Sequence, residues 1–427
     1  MAKAEESVEL LFAQKVGSQT DESHELTYST KDKTLHQWAE NHWKPIQLDK
    51  LENMAWRWLA ENAPDKATPR IMTSCAAAVL HEVIEIPNRD STEVVLPLKN
   101  ATLEIINLNE QVSIATRAPS RKDGLTYVLN CEYEKEAQAP EFDKFLKEVL
   151  PDEDVRMYVQ EYIGYTLLPD CRFQRAQFWL GGGSNGKSTL AEIVGGLHEN
   201  PTALQLDQLE GFNLTGLLGA SLVYVDETPA RINEQKLKVL ISGGLVQVDR
   251  KYREAITFRP TAKWIVCGNN LPSISDHSEG FWRRFPIIPF NAHFPDAKQD
   301  PLLAKRIISS ELSGILNWAL EGLVRLLKRG RFGTLPLAVA LAISNGKQEA
   351  NSVMAWWYSN DDHEVHPTAS VTKDDVFTNY KEWAVFNGMT PVKSPNFWKR
   401  FRDVVGEFTE SRSSIGKRPR MVNIILG

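Results

Sequence analysis

Apolar positions recur along this chain with changing periods, and each change marks a candidate boundary. Residues 1–31 are polar and without period, which predicts a flexible arm. Leu35, Trp38, Trp43, Leu51, Met54, Ala55, Trp58 and Leu59 then recur at helical spacing. Short β-like runs follow, Val94-Val95-Leu96 and Leu103-Glu104-Ile105-Ile106, with turn signals at Lys99-Asn100 and Lys122-Asp123-Gly124. Together these predict an α+β N-terminal domain over 32–140. The helical period returns at Phe142, Phe145, Leu146, Val149, Val155, Tyr158, Val159 and Tyr162, giving a helical collar over 141–170. Over 171–300 strands and helices alternate, the sign of an α/β core with a parallel sheet. A further helical segment spans 301–350, interrupted by Arg329-Gly330-Arg331-Phe332-Gly333. The last unit, 351–427, reads as helix, helix and hairpin. Its first helix opens on Thr372-Lys373-Asp374-Asp375, a threonine cap with an acid three residues on. Trp38, Trp43, Trp56 and Trp58 read as core residues.

The first chemistry lies where an apolar strand, Gln177-Phe178-Trp179-Leu180, runs into Gly181-Gly182-Gly183-Ser184-Asn185-Gly186-Lys187-Ser188-Thr189 and then a helix. This is G-x-x-x-x-G-K-[ST] in a strand–loop–helix setting. Glycines let backbone N–H groups curl around phosphates, and the helix N-terminus adds favourable potential. Lys187 is placed to reach the β- and γ-phosphates of a nucleotide, and the Ser188 hydroxyl to ligate Mg²⁺. Alone, such a loop does not separate kinase from motor. No N-K-x-D sequence occurs, which argues against a GTPase.

About forty residues on, Leu222-Val223-Tyr224-Val225 ends in Asp226-Glu227, a pair suited to holding Mg²⁺ (Asp226) and polarising an attacking water (Glu227). A second apolar strand, Trp264-Ile265-Val266-Cys267, ends in Gly268-Asn269-Asn270, where Asn269 could orient that water. Phe281-Trp282-Arg283-Arg284-Phe285 then offers an arginine for a neighbour's phosphates, Arg284 in preference to Arg283. Between these elements Val246-Gln247-Val248-Asp249 and Ile256-Thr257-Phe258 flank Arg250-Lys251-Tyr252-Arg253, which reads as a hairpin with a basic tip.

In this order and spacing the motifs resemble the compact core of superfamily 3 helicases, an AAA+ group, in the form found in phage and plasmid primase–helicases and their poxvirus relatives. Glu161-Tyr162-Ile163-Gly164-Tyr165 and Ser313-Gly314-Ile315-Leu316-Asn317-Trp318-Ala319 are similar to the segments flanking that motor. One departure is Gly268, where many relatives carry threonine. The resemblance implies an ATP- and Mg²⁺-dependent replicative helicase working as a homo-oligomeric ring, a hexamer, on single-stranded and forked DNA with 3′→5′ movement. It also implies that Arg250, Lys251, Tyr252 and Arg253 grip DNA, and that 351–427 is a winged helix. An ATP-controlled origin-binding initiator, or a small-molecule phosphotransferase, stays open as an alternative.

Composition changes this picture little. A net charge of −6 speaks weakly against a nucleic-acid partner, but from Lys393 onward Lys393, Lys399, Arg400, Arg402, Arg412, Lys417, Arg418 and Arg420 face three acids. Lys399, Arg400, Arg402, Lys417 and Arg418 are therefore candidate DNA contacts; a solvated basic face fits them equally. No strand before Glu141 carries the carboxylate pair that primer synthesis needs, so a separate primase or polymerase is expected. Four scattered cysteines and the lack of any apolar run of about 18 residues predict neither a zinc module nor a membrane span, and a cytoplasmic setting.

Overall fold

The computed structural model describes residues 6–17, 25–30, 34–87, 94–108, 111–229, 232–251, 253–272, 274, 278–360, 362–387, 389, 391–412 and 419–426. Among them, buried apolar side chains gather into three clusters.

The first belongs to α1 (Val8–Gly17), the antiparallel sheet of β1 (Leu26–Ser29), β2 (Thr34–Trp38) and β3 (Trp43–Pro45), and helices α2 (Leu48–Asn62) and α3 (Pro69–Glu82). Two expectations change here. The stretch read as a flexible arm instead carries α1 and β1 in its described part, with Phe12 and Ala13 buried against Val79 and Leu59 of the same cluster. One three-turn helix in polar surroundings leaves too few apolar positions to show a period. Leu35, Trp38 and Trp43, counted into a helical repeat, lie on β2 and β3, because spacings of three and five residues fit a hairpin as well as a helix. Trp43 is fully buried, but Trp56 is 41% exposed and is not a core residue.

The second cluster joins the antiparallel β4 (Val94–Pro97), β5 (Thr102–Leu108) and β6 (Gln111–Arg117) to everything up to residue 343. Leu96, Leu103 and Ile105 share a core with α4 (Pro140–Val149) and α5 (Glu153–Thr166), so the expected 32–140 domain divides between two cores. Beyond them come β7 (Gln177–Leu180), α6 (Lys187–Gly196), β8 (Pro201–Ala203), β9 (Leu222–Val225), α7 (Glu234–Ile241), β10 (Val246–Arg250), β11 (Arg253–Phe258), β12 (Lys263–Gly268), α8 (Glu279–Trp282), β13 (Ile287–Pro289), α9 (Leu303–Arg329) and α10 (Leu337–Ala350). A five-stranded sheet runs β13-β7-β12-β9-β8, every neighbouring pair parallel. Parallel strands end on one edge of the sheet, so the residues after β7, β9 and β12 are brought together there.

Behind the sheet, α5 and α9 cross closely because both present glycine. A Cβ on Gly164 would lie 2.5 Å from the Ala319 carbonyl, and one on Gly322 would lie 2.3 Å from that of Gln160. Buried Glu161 on α5 accepts from Arg329 at 2.6 Å and from the Gly333 N–H at 3.2 Å. Glu311 on α9 caps α4, accepting from the N–H groups of Glu141 at 3.0 Å and Phe142 at 2.9 Å. Asp152 caps α5 through the N–H groups of Asp154 and Val155.

The third cluster is the C-terminal unit: α11 (Ser352–Trp357), β14 (Glu364–Val365), β15 (Val371–Thr372), α12 (Lys373–Phe386), α13 (Ser394–Val405), β16 (Glu410–Arg412), β17 (Arg420–Val422) and β18 (Ile424–Ile425). Trp356, Tyr380, Phe397 and Phe401 fill it. Thr372 caps α12, accepting from the Asp375 N–H at 3.0 Å. Among the described residues no helix is long and apolar enough to cross a membrane.

Candidate functional site

The loop after β7 needs its glycines in different ways. Gly183 and Gly186 have φ of +98° and +81°, a region that side chains disfavour, and Ser184 shares it at +48°. A Cβ on Gly186 would stand 2.6 Å from Val149 Cγ2, so the end of α4 closes under the loop. Around Gly182 and Gly183 a Cβ would meet nothing within 4 Å. These two positions form an open backbone cradle. Ser184 is braced from outside by the Phe294 N–H to its carbonyl at 2.8 Å and by Gln299 to its hydroxyl at 3.2 Å.

Lys187, the first residue of α6, is buried and donates to the Gly181 carbonyl at 2.8 Å and Asn185 Oδ1 at 2.7 Å. Burial holds its pKa below the usual lysine value. Asn185 in turn donates to the Phe290 carbonyl at 3.2 Å, so the lysine's resting partner is itself anchored beyond β13. Ser188 and Thr189 open the helix, Ser188 exposed.

Asp226 and Glu227 leave the end of β9 and are exposed, as is Asn269 after β12. The Gly181 N–H donates to the Gly268 carbonyl at 3.2 Å, which sets the loop beside the Asn269 strand. Cys267, buried on β12, feels both the Lys187 and the Asp226 charge. Burial pushes its thiol up to about 12; the Lys187 charge acts to lower it and that of Asp226 to raise it. Lysine, aspartate and asparagine thus meet at one sheet edge. A cavity of about 770 Å³ opens beside Asp226 and Glu227, lined also by Gln205, Asp207, Asn213 and Thr228.

This donor set fits a nucleotide with Mg²⁺. The cradle at Gly182 and Gly183 has room for phosphate oxygens, and Ser188 with Asp226 supplies the hard oxygen ligands that Mg²⁺ prefers.

The two arginines after α8 differ. Arg284 is spent inside the chain, donating to Gly280 O at 2.6 Å, Gln174 Oε1 at 2.8 Å and Ser242 Oγ at 3.3 Å. Burial, with the Arg283 charge adding to it, lowers its pKa. Arg283 is exposed; its N–H donates to the Glu279 carbonyl at 3.0 Å, and its guanidinium has no hydrogen bond or ion pair among the described residues.

β10 and β11 form the expected hairpin, pairing Val246 with Phe258 and Arg250 with Arg253 across a register shift. Lys251 is exposed at the turn; Tyr252 and the Arg253 side chain lie outside the described residues. The hairpin leans on a 3₁₀ turn, Gly211–Leu217, whose Thr215 hydroxyl reaches the Asp249 carbonyl at 3.4 Å. That turn exposes Phe212 to 60%. Sequence reasoning missed Phe212, because one aromatic between Gly211 and Asn213 carries no periodic signal. It missed Asn185 as the lysine's partner for a similar reason: the contact closes only when the loop folds.

The basic residues of α13 divide as well. Arg402 pairs with Glu410, which also holds Lys373 at 3.0 Å. Lys399 and Arg400 line a cleft of about 670 Å³ with Glu279, Trp282 and Lys347, between α8, α10 and α13. Arg400 loses hydration there and its pKa falls. Lys417 and Arg418 lie outside the described residues.

A family of unknown function (DUF5906) matches residues 179–284, and a D5 N terminal like family matches residues 11–151. The chain is 23% identical over 341 residues to 121R of Invertebrate iridescent virus 3, which carries the name of a helicase; the match takes in 69% of this chain and 35% of that protein. It is 29% identical over 163 residues to L207/L206 of Acanthamoeba polyphaga mimivirus, also named as a helicase, across 35% of this chain and 17% of that one. C962R of African swine fever virus, named as a primase, is 25% identical over 152 residues, 33% of this chain and 16% of its own. The chain therefore spans no more than about a third of the curated relatives it matches. The A form apo structure of the NrS-1 C-terminal region shares the fold, with a TM-score of 0.54 at 13% identity over 93% of this chain and 96% of that one.

Proposed function

Starting from the support these matches give to a D5-like primase–helicase family with a replication-associated role, we propose that the chain is an ATP-driven DNA helicase of the superfamily 3 type. The meeting of Lys187, Asp226 and Asn269 at the carboxyl edge of the β13-β7-β12-β9-β8 sheet is the observation that carries this reading.

In this proposal Gly181, Gly182, Gly183, Ser184, Asn185 and Gly186 wrap the phosphates with backbone N–H groups. Lys187 leaves the Gly181 carbonyl and Asn185 for the outer phosphates. Mg²⁺, held by Ser188 and Asp226, would neutralise phosphate charge. Glu227 takes the proton of the attacking water, and Asn269 orients that water from the neighbouring strand end. A neighbouring subunit completes the site. Arg283 suits that role better than Arg284, whose guanidinium has three partners at home. The Arg250–Arg253 hairpin tip, with Phe212 at its flank, grips one strand of DNA in the channel of a homo-oligomeric ring. A hexamer and 3′→5′ movement follow from resemblance to that superfamily.

A winged helix over 351–427 remains part of the proposal, with Lys399, Arg400, Lys417 and Arg418 as DNA contacts and Arg402 set apart by Glu410. Primer synthesis is left, in this proposal, to a separate primase or polymerase.

The deciding experiment is ATP hydrolysis with and without single-stranded DNA, beside Lys251→Ala and Arg253→Ala. DNA-stimulated turnover that both changes abolish, while basal turnover persists, is the expected result. Turnover indifferent to DNA would leave an ATP-controlled initiator or a phosphotransferase.

A further inference from the structure

Thr228 follows Glu227, and its hydroxyl donates to the Asn270 carbonyl at 2.6 Å. The bond spans the two strand ends that carry the site's polar side chains, Asp226–Glu227 on one and Asn269 on the other. The β9–β12 pairing beneath it has Val225 opposite Val266 as its last registered pair. Past that point a side chain fastens the two loops.

Gly268 makes room for the fastening. A Cβ there would stand 2.4 Å from Thr228 Oγ1 and 2.8 Å from its Cγ2. Gly268 is not among the residues of positive φ, so space, and not backbone conformation, calls for glycine. Its carbonyl also receives the Gly181 N–H at 3.2 Å. The segment 268–270 is thus pinned to the phosphate loop on one side and to the acidic pair on the other.

We propose that Thr228 is a positioning residue for hydrolysis, a clasp that holds Asn269 in register with Glu227 so that both address the same water. The clasp rests on the reading of this edge as a nucleotide site. Loss of the hydroxyl leaves the phosphate loop, Lys187 and Asp226 in place, so it acts on turnover and not on nucleotide affinity.

The test measures kcat for ATP and, separately, the affinity for a non-hydrolysable ATP analogue with Mg²⁺. Thr228→Ala should lower kcat about tenfold, the scale of one well-placed hydrogen bond, with affinity within about twofold of wild type. Thr228→Ser should keep both. Gly268→Ala should lose as much turnover as Thr228→Ala, because its Cβ evicts the hydroxyl. Wild-type kcat in Thr228→Ala, or parallel losses of kcat and affinity, would overturn the clasp while leaving the nucleotide site standing. A wild-type chain that binds no nucleotide would remove both.

Discussion

Arg284 donates from Nε to Ser242 Oγ at 3.3 Å, which ties the segment after α8 that carries Arg283 to the residue that closes α7 and leads into the β10–β11 hairpin. Adjacent arginines therefore have separate duties. In the proposed ring, Arg283→Ala should cut ATP turnover by about 10³-fold, as loss of a trans-acting arginine does, with an unchanged melting temperature. Arg284→Ala should lower turnover and melting temperature together, since it releases Gln174, Gly280 and Ser242 at once. Turnover assays beside thermal melts separate the two. Full turnover by Arg283→Ala would return the trans role to Arg284 or to neither.

Phe212 is exposed on the turn that meets Asp249, the residue before the hairpin tip. Stacking of a base on an aromatic face contributes about 1–3 kcal/mol. Phe212→Ala should therefore weaken single-stranded DNA binding roughly tenfold, read by fluorescence anisotropy, and leave basal hydrolysis alone. Unchanged affinity would confine the grip to the hairpin's cations.

Glu311 anchors the start of α4 from a helix 170 residues away, through two backbone N–H groups that the first turn of α4 cannot satisfy itself. Glu311→Ala strands both donors in a buried position. It should lower unfolding free energy by about 1–3 kcal/mol, measured by urea denaturation. Because Val149 at the far end of α4 lies under Gly186, nucleotide affinity should fall too. Stability loss without any change in affinity would uncouple the collar from the loop.

What the sequence made legible follows from the range of each interaction. The phosphate loop, the Asp226–Glu227 strand and the Asn269 strand are local patterns, and the parallel sheet brings their ends to one edge. Thr372 was likewise readable, since a cap bonds within three residues. α1 was not, because Phe12 gains its meaning only from Val79, far along the chain. The roles of Arg283 and Arg284 could not be separated either: Arg284's partners, Gln174 and Ser242, stand 110 and 42 residues away. Thr228 is unremarkable in sequence, and Gly268 stands out there only as a departure from the threonine of the family it resembles. Only the folded loops set one in the space the other leaves empty.

His198, at the end of α6, is fully buried, and its pKa falls to about 3, chiefly through burial, with the Lys263 charge adding to it. The Thr166 hydroxyl is spent on the Ile163 carbonyl at 2.6 Å, so the ring donates from Nε2 to Thr166 at 3.2 Å and accepts at Nδ1 from Ser221 at 3.0 Å. Burial away from water, with the Lys263 charge beside it, favours the neutral ring in this pocket. The unfolded chain takes up that proton near pH 6.5 while the folded chain resists until about 3, so stability is whole above about 6.5 and drains away as pH falls between those values. At pH 5 the loss from this one group should be about 2 kcal/mol. Urea midpoints at pH 7 and pH 5 read this loss together with that of His42, whose pKa burial also lowers, and His198→Gln separates the two. His198→Gln should start from a lower stability, yet lose about 2 kcal/mol less between the two pH values than wild type. An equal loss in both proteins would assign the acid sensitivity to other groups and leave His198 with a purely packing role.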